Sequence, residues 1–284
     1  MTERLDAVPA EWRPVLRSAH VALVKAELRT LRDLREAVQG AMTSVHNARF
    51  GADRNAARAQ AARLVRDVAG RMRETISSAL RDARVETRSA AATQVGRELD
   101  MMTRELRSVG IKATFERDGS LAYTIDEHAD VHNDTLGAAI SVAWSQAVLR
   151  SIAIWHAREQ GSIRDAISGA TAEQDHRLRR IAITETTRTF NQAHDDGIGY
   201  AFDKTSRARW MAGVFKRWDA TLDRRVCAYC KDQHGRMVPY GMSFSAGIPG
   251  MVHPYCRCVQ SLVFIPARVQ SEEQRGHYVP EERI

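Results

Sequence analysis

The sequence predicts a mainly α-helical protein with a long helical arm at its N-terminus and a small, cysteine-containing α+β module near its C-terminus. Three observations predict this fold class. Apolar residues recur every three or four positions between residues 12 and 106, which is the period of a helix. After residue 213 the apolar runs become short and are separated by turn residues, and all four cysteines lie between residues 227 and 258.

The first element is a predicted helix over residues 12–46. Its apolar positions are spaced so that they share one face of a helix. Pro14 is compatible with this assignment because proline is tolerated in the first helical turn. The predicted face consists of Val21, Val24, Leu28, Leu31, Leu34, Val38, Met42 and Val45.

The second element is a predicted helix of about 55 residues, or roughly 80 Å at the usual helical rise. Its apolar stripe consists of Ala57, Ala61, Leu64, Val68, Met72, Ile76, Leu80, Ala91, Val95, Leu99, Met102 and Leu106. A helix of this length needs a partner for its apolar face, either the first helix or another chain. We therefore predict an extended helical hairpin or arm over residues 1–110.

Residues 111–126 alternate apolar and polar positions around Asp118-Gly119, which predicts a β-hairpin as a junction. A helical body is predicted over 127–212. It comprises helices at 132–158, which is apolar on most of its circumference and expected to be buried, at 162–168 and at 171–203, with Thr171 as the N-cap of the last one. The module covers 213–266, with strands at 213–220, 236–239 and 259–264. Residues 267–284 are predicted to be a polar tail.

The composition is that of a globular protein, with 44% hydrophobic and 27% charged residues. No uninterrupted apolar run approaches the roughly 18 residues that span a bilayer, so no membrane partner is predicted. The charged N-terminus lacks the apolar core of a signal peptide. We therefore expect a protein made in the cytoplasm, where cysteine clusters bind metal more often than they form disulfides.

The net charge is +7, and only five of the 42 basic residues are lysine. Residues 1–110 contain 20 basic and 14 acidic side chains. This surplus is compatible with contact to nucleic acid or to an acidic protein surface. The interleaving of both signs also fits an ordinary solvated helix face, so the charge does not choose between these possibilities.

The cysteines and one histidine have the spacing of a zinc site. Cys227 and Cys230 form one pair, and His253 and Cys256 repeat the same spacing after a loop of 22 residues, 231–252. Cys258 is a fifth candidate that could replace either member of the second pair. His234 is a further candidate in the loop. With enough protein ligands to fill a tetrahedral shell, we expect one structural Zn²⁺ and no catalytic residue. Buried cysteines without metal and redox chemistry are the alternatives.

Two segments resemble the phage Mu F-like minor head proteins, also called phage head morphogenesis proteins. The run KRWDATLDRRVCAYCKDQHGRMVP followed by HPYCRC carries the resemblance, together with the helical run TETTRTFN at residues 184–191. The similarity covers about residues 130–265. Beyond the cluster, its matching positions are Trp218, Asp223 and Arg225.

The resemblance implies a minor capsid protein of the virion, assembled in the host cytoplasm. It implies the portal protein and other head proteins as partners, and contact with packaged double-stranded DNA. No small-molecule substrate is expected. Glu185, Arg188 and Asn191 lie near one helical face, and we interpret them, with Trp218, Asp223 and Arg225, as structural support for the zinc module. The alternatives are a zinc-dependent nuclease or toxin-type enzyme, and a zinc-containing DNA-binding protein.

Overall fold

The computed structural model describes residues 10–115, 127–203, 209–221 and 226–266. The helices are α1 (Arg13–His46), α2 (Arg54–Ser108), α3 (Glu127–Arg158), α4 (Ile163–Ala172), α5 (Asp175–Asp203) and α6 (Ala228–Gln233). The strands are β1 (Val214–Asp219), β2 (Met237–Pro239) and β3 (Val259–Phe264), and short 3₁₀ helices cover Ala10–Trp12 and Arg209–Gly213. The predicted fold class, mainly α with a small α+β module, is confirmed.

The predicted helices and strands are present, and α2 has the predicted length of 55 residues. The predicted cap at Thr171 is wrong. Thr171 lies inside the last turn of α4, where its hydroxyl donates to the carbonyl of Ile167, and α5 begins only at Asp175. Residues 111–115 of the predicted hairpin have no regular secondary structure, and residues 116–126 lie outside the described residues.

The predicted apolar face of α1 is partly wrong. Val21 and Leu28 are 49% and 63% exposed, whereas Ala19 and Leu23 are fully buried. The buried face continues through Glu27, which is 3% exposed, before it rejoins the predicted positions at Leu31. Because Glu27 is charged, the apolar pattern did not include it, and the predicted face was displaced by about half a helical turn.

The described chain divides into two compact units, and α1, α2 and α5 each contribute residues to both. The first unit contains 1–26, 85–124 and 183–284, and the second contains 27–84 and 125–182. In the second unit, the apolar stripe of α2 packs with Trp144 and Ile152 of α3 and with Ile167 of α4. This division follows spatial neighbours and not sequence segments, so the predicted domain boundaries stay predictions.

In the first unit, β1 lies at the centre of a three-stranded antiparallel sheet with the order β2-β1-β3. All six residues of β3 are buried. Leu262, Val263 and Phe264 pack in one cluster with Leu99 and Met102 of α2. Because β3 follows directly after Cys258, this packing fixes the end of the cysteine segment against the helices.

One helix, Asp130–Arg158, is long and apolar enough to cross a membrane, by length and composition alone. The search for uninterrupted apolar runs missed it because polar residues are scattered through the segment. A core helix of a soluble protein can pass the same test, and a third of its most apolar window is buried within the protein. The property is weak evidence for a membrane.

Candidate metal centre

Two short segments of the first unit bring the cysteines and His253 together. Cys227 is the N-cap of α6, and its sulfur accepts a hydrogen bond from the backbone N–H of Cys230 at 3.3 Å. The chain then passes through β2 and a loop before the second segment, His253 to Cys258, which leads into β3. All four cysteines are free thiols.

The side chains converge in two groups that share Cys230. In one group, the His253 Nε2 atom lies 3.2 Å from the Cys227 sulfur and 3.1 Å from the Cys230 sulfur. In the other, Cys230, Cys256 and Cys258 lie within 4.8 Å of one another. The Cys230 and Cys256 sulfurs are 3.7 Å apart. All five side chains that the spacing predicted as ligands are therefore neighbours.

These distances fit a zinc ion. A tetrahedral site with zinc–sulfur bonds of about 2.3 Å places two sulfurs about 3.8 Å apart, and a sulfur and a nitrogen about 3.5 Å apart. The Cys230–Cys256 separation of 3.7 Å matches the first value, and the His253 contacts of 3.1 and 3.2 Å are slightly shorter than the second. The donor set of thiols and one imidazole is the set that zinc prefers.

Hydrogen bonding divides the thiols into readily ionised and protonated members. The hydrogen bond from Cys258 lowers the pKa of Cys256 to about 6 despite burial. Burial opposes ionisation of Cys227, but the N–H of Cys230 and the nearby His253 outweigh it and lower its pKa. Burial raises the pKa of Cys230 to about 12, and the bond to Cys256 raises that of Cys258. A bound cation would favour the thiolate form of every ligand.

The ring of His253 is oriented for binding through Nε2. Its Nδ1 atom lies 2.7 Å from the carbonyl oxygen of Pro254, which can accept its proton. That bond leaves the lone pair of Nε2 directed at the sulfurs of Cys227 and Cys230. Histidine ligands commonly donate their second ring N–H to a carbonyl in this way.

Asn191 of α5 anchors the end of the segment His253 to Cys258, called the metal segment below. Its Nδ2 donates to the carbonyls of Cys258 and Thr187, both at 3.0 Å, and its Oδ1 accepts the N–H of Gln260 at 2.7 Å. Gly250, with a φ of +80°, passes so close that a Cβ there would lie 2.5 Å from Asn191 Nδ2. The loop between the ligand pairs therefore rests on the face of α5 that carries Asn191.

Two further contacts were not predicted. The hydroxyl of Thr184 accepts the N–H of Tyr255 at 3.3 Å, and the hydroxyl of Thr221 donates to the carbonyl of Arg257 at 2.9 Å. Thr184 opens the helical run that carries the resemblance, so the sequence contained a signal for it. The sequence contained no signal for Thr221, because its partner, Arg257, lies 36 residues further along the chain.

The other predicted support residues have different positions. Trp218 is fully buried and packs in one cluster with Cys230, Cys256 and Cys258, with its ring 5.4 Å from that of Phe244 in a T-shaped contact. Both Nε and one terminal nitrogen of Arg188 donate to a carboxylate oxygen of Glu185, at 3.1 and 2.9 Å, in a partly buried ion pair along α5. Asp223 and Arg225 lie outside the described residues.

His234 does not belong to either ligand group among the described residues. Its Nδ1 accepts the N–H of Ala220 at 3.1 Å and lies 3.9 Å from Asp219. Burial lowers its pKa. A neutral ring that accepts a backbone hydrogen bond has a structural role between β1 and the end of α6.

A model of the family described as Phage Mu protein F like protein matches residues 83–261, more than half of the chain. The chain belongs to this family. The matched region contains both pairs of candidate ligands, Asn191 and the first half of β3, so the family resemblance found in the sequence is confirmed. Membership indicates a protein of phage head morphogenesis. No curated protein and no solved structure matches the chain.

Proposed function

We propose that this chain is a minor head protein of a tailed phage or phage-like particle, and that it acts as a structural component and not as an enzyme. The family match over residues 83–261 carries the proposal. Its partners are the portal protein and other head proteins, and its location is the virion. Assembly in the host cytoplasm follows from the same role.

We further propose that the cysteine cluster holds one structural Zn²⁺ through Cys227, Cys230, His253 and Cys256. The Cys230 and Cys256 sulfurs are 3.7 Å apart, the separation expected of two sulfurs in a tetrahedral zinc site, which supports Cys256 as the fourth ligand; Cys258 belongs to the same group and is the alternative. Bound there, the ion would cross-link the start of α6 to the segment before β3. A small cluster of mostly short side chains surrounds the site, so the metal would replace missing apolar core.

The site geometry favours a structural role over nuclease or toxin-type activity. Two groups of three donors share Cys230, and five candidate side chains are enough to supply all four ligands of a tetrahedral ion without a reactive water. The additional histidine that the sequence offered as a candidate, His234, accepts a backbone hydrogen bond. Contact with packaged DNA is a second candidate function, with which the net charge of +7 is compatible.

The test of the assembly role is the composition of purified particles. The chain should be found in them by mass spectrometry, and it should co-purify with the portal protein from lysed, incompletely assembled heads. If apolar surfaces carry the association, it should survive about 1 M salt, where the Debye length is about 3 Å. Absence of the chain from particles and from portal preparations would refute the proposed role.

A further inference from the structure

We propose that a groove between the start of α1 and α2 binds an acidic, amphipathic segment of another protein. The groove has a volume of about 510 Å³ and lies within the first compact unit. Its lining combines four cationic side chains, Arg13, Arg17, Lys25 and Arg97, with an apolar floor. The groove is separate from the metal centre. Binding at the groove would be a function additional to the proposed head role, which supplies only its biological setting.

The four cations make the groove strongly positive. All four are exposed, and within the described part of the chain none of them forms an ion pair. Among the described residues, no acidic side chain lines the groove. The first turn of α1 contains no acidic residue, although Glu11 lies in the 3₁₀ turn directly before it, so the positive end of the helix dipole adds to the field of the four cations. An anionic partner is the complementary ligand.

The apolar floor of the groove favours a protein segment over a nucleic acid as the ligand. Val21 is 49% exposed and lies one turn of α1 from both Arg17 and Lys25, and Ala22 lies beside it. A phosphate backbone would use the cations but would gain nothing from this apolar surface. An amphipathic segment could place an apolar side chain on Val21 and direct its carboxylates to the surrounding cations.

The groove is held in place by buried and partly buried hydrogen bonds. The Ser18 hydroxyl oxygen, in the groove lining, lies 2.6 Å from Oε1 of Gln94 on α2. The amide nitrogen of Gln94 donates to the carbonyl of Val15 at 3.0 Å and to Glu98 at 2.8 Å. Glu98 is fully buried. Because α1 and α2 are fixed against each other here, the groove needs no rearrangement before a partner binds.

The length of the groove sets the size of the partner. Arg13, Arg17, Val21 and Lys25 follow one another at intervals of four residues, so the α1 side extends for about 18 Å at 1.5 Å per residue. A partner helix of about 12 residues covers that distance. Such a helix should carry acidic residues along its edges and at least one apolar residue facing Val21.

The test uses the purified full-length chain and fluorescence anisotropy. The probes are a fluorescein-labelled helical peptide of Glu and Leu with the leucines on one face, a scrambled peptide of the same composition, and a labelled 20-base-pair DNA duplex. We expect the amphipathic peptide to bind more tightly than the scrambled one. The double variant Arg17→Glu with Arg97→Glu should weaken that binding about tenfold or more.

Val21→Ser should also weaken peptide binding severalfold while leaving duplex binding unchanged. The matched control is Arg66→Glu with Arg71→Glu, which changes the net charge equally at exposed arginines of the second unit. It should leave peptide binding within about twofold of the parent. Circular dichroism of every variant verifies its helix content.

Three results would overturn the inference. In the first, the amphipathic peptide does not bind the parent protein. In the second, the control pair Arg66→Glu with Arg71→Glu loses as much peptide binding as the groove variant. In the third result, the groove variant loses duplex binding while Val21→Ser leaves peptide binding unchanged. The last result would assign the groove to DNA. Because the assay uses no phage particle, failure of the head role would leave its outcome unchanged, and the two proposals fail independently.

Discussion

Replacing Asn191 with alanine should destabilise the cysteine-containing module by about 2–6 kcal/mol. Asn191 is 2% exposed, and its amide supplies the partner for the N–H of Gln260 and for the carbonyl of Cys258. Each buried backbone group left without a partner costs about 1–3 kcal/mol. Its bond to Thr187 adds little, because that carbonyl lies within a helix.

The assay is urea unfolding of the metal-loaded protein, followed by tryptophan fluorescence, together with the rate of zinc release to a chelator. Asn191→Ala should lower the unfolding midpoint and speed zinc release, because Cys258 loses its anchor to α5. Asn191→Asp keeps the acceptor for Gln260 but removes the donor to Cys258, so it should also be destabilising.

The matched control is Gln192→Ala, one residue further along α5. Gln192 is exposed and bonds only the side chain of Asp196 among the described contacts, so its removal should cost less than about 0.5 kcal/mol. If Asn191→Ala also stays within that limit and releases zinc at the parental rate, the idea that α5 anchors the metal segment is wrong.

Three other changes test separate parts of the structure. Gly250→Ala should cost about 2–4 kcal/mol in urea unfolding, because it combines a positive φ with a 2.5 Å approach to α5; an unchanged midpoint would contradict the packing. Cys256→Ser should abolish stoichiometric zinc in metal analysis while Cys258→Ser retains it, and the reverse result would exchange their roles. Burial disfavours the charged form of His194, but the charge and the hydrogen bond of the Glu98 carboxylate, 2.7 Å away, together have the larger effect and raise the pKa of His194. The stabilisation from this pair should therefore be complete below about pH 6.5 and decline as the pH rises through the raised pKa of His194. A stability–pH profile that His194→Gln leaves unchanged would exclude this.

Helical periodicity predicted most of the fold because the two longest helices bury a regular stripe. The prediction failed on α1 where the polar residues Glu27 and Thr30 are buried. A prediction from apolar residues alone omits such positions and selects exposed residues, such as Val21 and Leu28, instead. The buried polar residues are recognisable only once their tertiary partners are known.

The cluster of candidate metal ligands was predictable because their spacing is local: each pair lies within four residues. The anchoring contacts were not, because they join distant parts of the chain. Asn191 and Cys258 are 67 residues apart, and Glu98 and His194 are 96 apart. Spacing alone contains no information on such pairs, although the family resemblance pointed to the α5 segment that provides Asn191.

The buried polar groups of the first unit form one framework that connects the metal segment with the groove. Asn191 bonds Cys258, and His194, one turn further along α5, contacts Glu98 at 2.7 Å. Glu98 also accepts the N–H of Leu262 in β3 and the amide of Gln94, which fixes the floor of the groove. Among the described residues, His194 Nδ1 has no hydrogen-bond partner, but the other buried polar atoms of this network are paired, and their pairing favours a single arrangement of α1, α2, α5 and β3. A metal that fixes the chain just before β3 would therefore stabilise the same framework that holds the groove open for a partner.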